Sequence, residues 1–245
     1  KQLIIAGEKS SSHSLDLSVQ AVFQNSARSI YELYHYGQNP GLFEQMYTCD
    51  PSFQVISGRP EFDRRGLVMA GLHMAGFDLG LRWLCMGHIK PLVLTIPNPE
   101  GGRQMEFKTR QKTGMKLVPG SVNGLRQAVR YLQQGGMVAT GIDRPVPESD
   151  PRPRFFGRQA ALPSHHIFLA LKAQVPVVLV VSRLEEDGKY HIYASPFIEM
   201  DSYPNRADEL LINSEKVLSV AEEFIRQAPQ QWLISLPVWP EIMSV

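Results

Sequence analysis

From Leu67 onward, short apolar runs of strand length alternate with stretches whose apolar residues recur at helical spacing, and this alternation constrains the fold more than any single residue does. Residues 67–72 read as a buried strand, 76–86 as a helix and 90–96 as a strand. Residues 103–113 are charged and compatible with a helix, 115–118 form a short strand, 122–134 a helix and 137–142 a buried strand. Residues 154–162 read as a short extended segment, 164–173 as a helix and 175–183 as the most strand-like run in the chain. Residues 190–197 pair back onto it across Glu185-Glu186-Asp187-Gly188, a hairpin signal, and 206–227 make a last long helix. Each parallel strand pair needs a crossover, and helices supply it. The expected fold is therefore α/β: a mostly parallel central sheet with an antiparallel hairpin edge, flanked by helices.

The N-terminal part reads differently. Leu15, Val19, Val22, Phe23, Ala27, Ile30, Tyr31 and Tyr34 recur at the spacing of one long amphipathic helix over 15–36. Asn39-Pro40-Gly41 breaks it; 42–47 then read as a second short helix and 53–56 as a strand. The charged connector 59–65 is too short to separate domains. With no internal repeat and no low-complexity tract, residues 1–245 are expected to form one domain, with a helical segment over about 14–47 packed on it. A net charge of +1 argues against nucleic acid as an obligate partner, and two cysteines, Cys49 and Cys85, make no disulfide framework. No apolar run reaches the roughly 18 residues of a membrane span, and residues 1–5 are too short for a signal peptide. The chain does not begin with Met, so an N-terminal anchor outside it enters as an expectation.

His73-Met74-Ala75-Gly76-Phe77-Asp78 sits where a buried strand gives way to a helix, the corner at which α/β proteins place their chemistry. A histidine with a carboxylate partner is a minimal general base with its orienting group. On a continuous helix, positions five apart lie about 140° apart around the axis. A direct His73–Asp78 contact therefore requires His73 to lie outside the helix, with Gly71 and Gly76 lending backbone freedom. The alternative is an Asp78 that only complements the helix dipole from its first turn.

Other chemistries lack their motifs. There is no Gly-x-Ser-x-Gly elbow, no Gly-rich phosphate loop, no Cys-x-x-Cys and no His-Glu-x-x-His, so neither a serine hydrolase of α/β type nor a zinc site has a framework. His165 and His166 are adjacent and so point to different faces of a helix, which speaks against a metal pair.

Four ordered segments carry a resemblance: Gly71-Leu-His73-Met-Ala-Gly-Phe-Asp78-Leu-Gly; Arg110-Gln-Lys-Thr-Gly114; Leu132-Gln-Gln-Gly-Gly-Met-Val-Ala-Thr-Gly-Ile-Asp143-Arg144-Pro145; and Arg154-Phe155-Phe156-Gly157-Arg158-Gln-Ala-Ala-Leu-Pro163. Over roughly residues 14–240 the chain resembles the bacterial lipid A biosynthesis (lauroyl/myristoyl) acyltransferases and their relatives that acylate glycolipids such as phosphatidylinositol mannosides, within the wider His-x4-Asp/Glu acyltransferases. It departs from them in Asp78 where Glu is usual, in Arg144 where Gln is usual, and in Ser164-His165-His166 where a small Gly/Pro-containing turn is usual. The resemblance implies a glycerolipid-acyltransferase-like fold and transfer of a fatty acyl group to a hydroxyl of a glycolipid or lysophospholipid. The implied donor is acyl-CoA or acyl carrier protein, with no further cofactor and no metal. The implied place is the cytoplasmic face of the bacterial inner membrane, held peripherally or by an N-terminal anchor.

Acyl transfer from a thioester needs removal of the hydroxyl proton during attack, stabilisation of the oxyanion and exclusion of water. On this reading His73 is the base and Asp78 its orienting carboxylate. Arg110 binds a phosphate or polarises the carbonyl, or else is a solvated arginine. Asp143 and Arg144, ending a buried strand, contact substrate or form a loop ion pair. Phe156 and Gly157, after Phe155, wall an acyl channel or belong to the core. The helix over 15–36 rests on the bilayer or packs on the sheet. The rivals are a glycerol-phosphate or lysophosphatidate-type acyltransferase and a non-catalytic lipid-binding protein on the same fold.

Overall fold

Alternation of side chains along a strand puts residues i and i+2 on one face, and in this chain both faces of the sheet are apolar. The computed structural model describes residues 2–7, 12–37, 39–58, 65–87, 89–96, 104, 107, 110–111 and 115–239. Among them, β1 (Tyr47–Cys49), β2 (Leu67–Gly71), β3 (Leu92–Thr95), β4 (Lys116–Pro119), β5 (Met137–Gly141), β8 (Val177–Leu184) and β9 (Tyr190–Ala194) form one sheet in the order β1-β9-β8-β2-β5-β3-β4. A separate ribbon pairs β6 (Arg154–Phe155) with β7 (Arg158–Gln159). Every pairing in the large sheet is parallel except the β8–β9 hairpin. The sheet does not stop at that hairpin: β1 adds to it in parallel with β9 and forms the outer edge.

The core divides accordingly. Val68, Ala70, Val138, Val177 and Leu179 face one side. There they meet α3 (Val122–Gln133), α4 (His165–Ala173) and α5 (Arg206–Gln227) through Ala128, Leu132, Ile167, Leu169, Val217 and Leu218. Leu67, Met69, Ala139 and Val178 face the other. Their partners there include Leu79, Trp83 and Leu84 of α2 (Phe77–Gly87), with Tyr47, Phe53 and Tyr190. The helix ends follow local chemistry. Ser121 caps α3 by accepting from Gly124 N–H, Asn205 caps α5 by accepting from Ala207 N–H, and Asp208 and Glu209 stand in the first turn of α5.

The long N-terminal helix is α1 (Ser12–His35). Its inner face mixes polar contacts with Leu33, which packs against the core. Asn25 donates to the Gln230 carbonyl at 3.0 Å, the Ser29 hydroxyl accepts from Gly76 N–H at 3.1 Å, and buried Glu32 accepts from the Tyr190 phenol at 2.7 Å. Its outer face carries large exposed apolar residues: Phe23 is 72% exposed, Ile30 59% and Tyr31 57%, with Val19, Ala27 and the polar Asp16 and Gln20 exposed beside them.

Two local expectations fail. Residues 53–56 are not a strand: Asp50 accepts from Ser52 N–H and starts a 3-10 turn, Pro51–Phe53, that runs into the single helical turn Gln54–Ser57. The helix expected over 42–47 lies earlier, at Pro40–Phe43, followed by a 3-10 turn at Glu44–Met46, and Tyr47 already belongs to β1. The stretches 59–65 and 103–113 lie mostly outside the described residues; Gln104, Phe107, Arg110 and Gln111 are helical.

Candidate active site

The site begins with a register. β2 and β5 are neighbours and run parallel, pairing Leu67 with Met137 and ending with Gly71 opposite Gly141. The ladder continues one bond further, from Ile142 N–H to the Gly71 carbonyl at 3.1 Å. His73 and Asp143 each lie two residues past their paired glycines, so the sheet delivers them to the same level at its C-terminal end. His73 donates twice to Asp143. Its backbone N–H reaches Oδ2 at 2.9 Å, and the ring Nδ1 lies 2.6 Å from Oδ1.

An ionised carboxylate only accepts, so this contact puts the imidazole proton on Nδ1 and leaves the Nε2 lone pair free to act as a base. Asp143 is fully buried, whereas the His73 side chain keeps 16% of its surface exposed. A third donor, the Trp232 indole Nε1–H, meets Oδ2 at 2.9 Å. Burial alone would push the Asp143 carboxyl up; the charge and hydrogen bonds of His73, with the Trp232 bond, outweigh it and hold the group below its ordinary value.

Packing fixes the ring as well. Phe77 lies edge-on to the imidazole at 4.6 Å between centroids. On the other side, a Cβ at Gly141 would stand 2.9 Å from the His73 Cε1, so Gly141 is the residue that leaves space for the ring.

His73 lies outside the helix, as the geometric condition required, since α2 begins at Phe77. The partner differs from the expectation. Asp78 stands in the first turn of α2 and pairs with Arg110, while the imidazole's carboxylate is Asp143. A helix carries Asp78 about 140° around from a residue five positions earlier, whereas the parallel pairing of β2 and β5 carries Asp143 directly to it. Arg110 thus meets the corner through Asp78, half-buried rather than solvated.

The corner between His73 and α2 is held from both sides. Gly76 has φ +73°, and a Cβ there would fall 2.6 Å from the Tyr190 ring and 2.9 Å from the Tyr47 hydroxyl. Its carbonyl accepts from the Tyr47 hydroxyl at 2.8 Å. Gly71 meets no such constraint, having only the Thr140 carbonyl at 3.8 Å. Across the corner runs the chain after α5: Ala75 N–H donates to the Gln231 carbonyl at 2.9 Å, and Leu233 N–H to the His73 carbonyl at 2.8 Å.

The other expected site residues are spread out. Arg144 follows Asp143 directly and is half-buried. Its Nε is buried with no hydrogen-bond partner, and it forms no ion pair among the described residues. Phe156 and Gly157 form the tip of the β6–β7 ribbon, with φ +52° and +73°, values suited to a two-residue hairpin turn. Phe156 packs against Phe155, Trp232 and Trp239 and donates its N–H to Glu222, with Trp232 standing between it and Asp143; Gly157 is exposed. The ring planes of His165 and His166 stand 87° apart, and His165 Nε2 lies 2.5 Å from the Thr140 hydroxyl.

Sequence reasoning missed the His73–Asp143 pairing and Trp232. The first had a signal: Gly71-Leu-His73 and Gly141-Ile-Asp143 end two buried strands with the same glycine–aliphatic–polar order. Trp232 follows the last helix, in a stretch without periodicity, and had none.

The profile of one protein family, bacterial lipid A biosynthesis acyltransferase, matches residues 59–240 of this chain. No curated protein matches it. Among solved structures it is similar to the 1-acyl-sn-glycerophosphate (LPA) acyltransferase, PlsC, from Thermotoga maritima, at 15% sequence identity and a TM-score of 0.45, covering 84% of this chain and 87% of that one.

Proposed function

This chain belongs to the bacterial lipid A biosynthesis acyltransferase family, and from that premise we propose that it moves a fatty acyl group from acyl-CoA or acyl carrier protein to a hydroxyl of a glycolipid or lysophospholipid, with His73 as general base. The observation that carries the reading is the 2.6 Å contact between His73 Nδ1 and buried Asp143. It orients the ring and prepares a negative partner for the imidazolium that forms during reaction.

Nε2 takes the acceptor's hydroxyl proton as its oxygen attacks the thioester carbonyl carbon. The tetrahedral oxyanion then collapses, the carbon–sulfur bond breaks, and the imidazolium returns its proton to the leaving thiolate. No protein nucleophile is needed, because the thioester is already activated. In this reading Asp78 holds Arg110 at the corner, and Arg144 is the group assigned to a substrate phosphate. Its buried Nε without an acceptor supports that assignment, since a half-buried guanidinium is stabilised by an anionic oxygen. Phe156 acts on the site through Trp232 rather than as a wall of it.

The acceptor and product are lipids, so the reading places the enzyme at a membrane surface, the cytoplasmic face of the inner membrane. The large exposed apolar residues on the outer face of α1 support this, because Ser29 of the same helix holds Gly76 of the corner. Among the described residues no helix is long and apolar enough to cross a membrane.

The test is acyl transfer from labelled palmitoyl-CoA to a panel of glycolipids and lysophospholipids by the wild type and by His73→Ala. Product from the wild type alone supports the reading; equal product from both overturns it.

A further inference from the structure

Asp143 is a carboxylate with no exposed surface and three donors, two of them from His73. The third comes from Trp232, 89 residues further along the chain. We infer that Trp232 is a positioning residue of the acyl-transfer site, whose indole N–H fixes how the Asp143 carboxylate is turned toward the imidazole and how strongly it holds the imidazole's proton. The inference rests on His73 being the base.

The division of labour between the two oxygens carries the argument. Oδ2 receives the His73 backbone N–H and the indole N–H, both at 2.9 Å, and is filled by them. Oδ1 is left to Nδ1 alone, at 2.6 Å. Two fixed donors on one oxygen prevent the carboxylate from rotating about its Cβ–Cγ bond. They also draw charge away from the oxygen that faces the ring, because hydrogen bonds to a carboxylate compete for the same charge.

The indole itself is locked. Trp232 is 4% exposed and packs edge-on against Phe155 and Trp239, at 5.9 and 6.3 Å between centroids. Its backbone neighbours grip the same loop that carries His73, through Gln231 and Leu233. Gln231 in turn exchanges two hydrogen bonds of 2.8 Å with the backbone of Leu184 at the end of β8. The segment that supplies the donor is thus tied both to the sheet and to the base.

Removing the donor while keeping the shape separates this role from packing. Trp232→Phe removes the N–H, and site-specific replacement of Trp232 by 3-benzothienylalanine, a shape-matched analogue with sulfur in place of N–H, does so without changing the packing. In both, kcat for palmitoyl-CoA is expected to fall about ten- to a hundredfold, the worth of a hydrogen bond to a charged group, with KM little changed. The acid limb of the kcat/KM profile is expected to move to higher pH, because a carboxylate with fewer donors holds the proton on the imidazole more tightly. Independently of activity, the downfield proton resonance of the His73 Nδ1–H, assigned by its absence in His73→Ala, is expected to move further downfield. A benzothienylalanine enzyme with wild-type kcat, or an Nδ1–H resonance unmoved in it, overturns the inference. Should the wild type transfer no acyl group, the functional reading fails on its own, and the resonance still decides whether Trp232 tunes the pair.

Discussion

His73 holds Asp143 twice, once through its ring and once through its own backbone amide. The double contact makes an asparagine at 143 informative. Two N–H donors converge on Oδ2, so the amide oxygen of Asp143→Asn must face them, and its NH2 must then face Nδ1. The ring is forced to accept at Nδ1 and to carry its proton on Nε2, the wrong tautomer for a base. Steady-state kinetics should show kcat lower by about 10³–10⁴, the size of a tautomer error behind a catalytic histidine. Asp78→Asn, which keeps an acceptor for Arg110, should cost less than about tenfold, one bond's worth. A reversed ranking would return the orienting role to Asp78.

The corner glycines are not equivalent. Gly76→Ala combines a left-handed backbone with contacts of 2.6–2.9 Å to Tyr190 and Tyr47. Urea denaturation should show a loss of about 3 kcal/mol. Gly71→Ala, at ordinary φ with its nearest neighbour at 3.8 Å, should stay within about 1 kcal/mol of wild type. Gly141→Ala should act on the reaction more than on stability, because the atom it displaces belongs to the His73 ring.

Burial pushes His165 down to about 4, and burial with the neighbouring charge of His165 pushes His166 down to about 3. In the unfolded chain these rings bind protons at about pH 6.5, which the folded chain refuses until about pH 4 at His165 and about pH 3 at His166. The unfolded state therefore gains on the folded one as pH falls through that interval, and stability falls with it. Melting temperatures measured from pH 7 to pH 4 should drop, and His166→Leu should flatten the drop. An unchanged slope would show that other groups drive it.

Phe23 and Ile30 are exposed on α1 and belong to neither apolar cluster of the core. Phe23→Ser with Ile30→Ser should leave the melting temperature unchanged and weaken co-sedimentation with anionic phospholipid vesicles by at least about tenfold, the worth of a single buried apolar side chain. Equal binding would move the membrane contact elsewhere on the surface.

What could be read from sequence was local. The β8–β9 hairpin was legible because its turn residues and strand alternation lie side by side, and α2 because its apolar spacing fits one helix. Residues 53–56 misled for the same reason: four apolar and polar residues suit either period, and Asp50 and Pro51 decided for a helical turn. The candidate base was legible from its corner. Its partner was not, because sequence spacing favoured a neighbour five residues away, and only strand order places Asp143 nearer. Nothing along the chain says that β2 lies beside β5 rather than β3.

The Gln231–Leu233 strap gives the site a timetable. A ribosome makes β2, β5 and β8 in turn, and with them His73 and Asp143. The carbonyl of His73, the amide of Ala75 and the free side of Asp143 then wait for a segment made after the last long helix. A nascent chain that has reached Gln227 has all the described strands of the large sheet and both His73 and Asp143, yet still lacks the segment that bonds to them from outside the sheet.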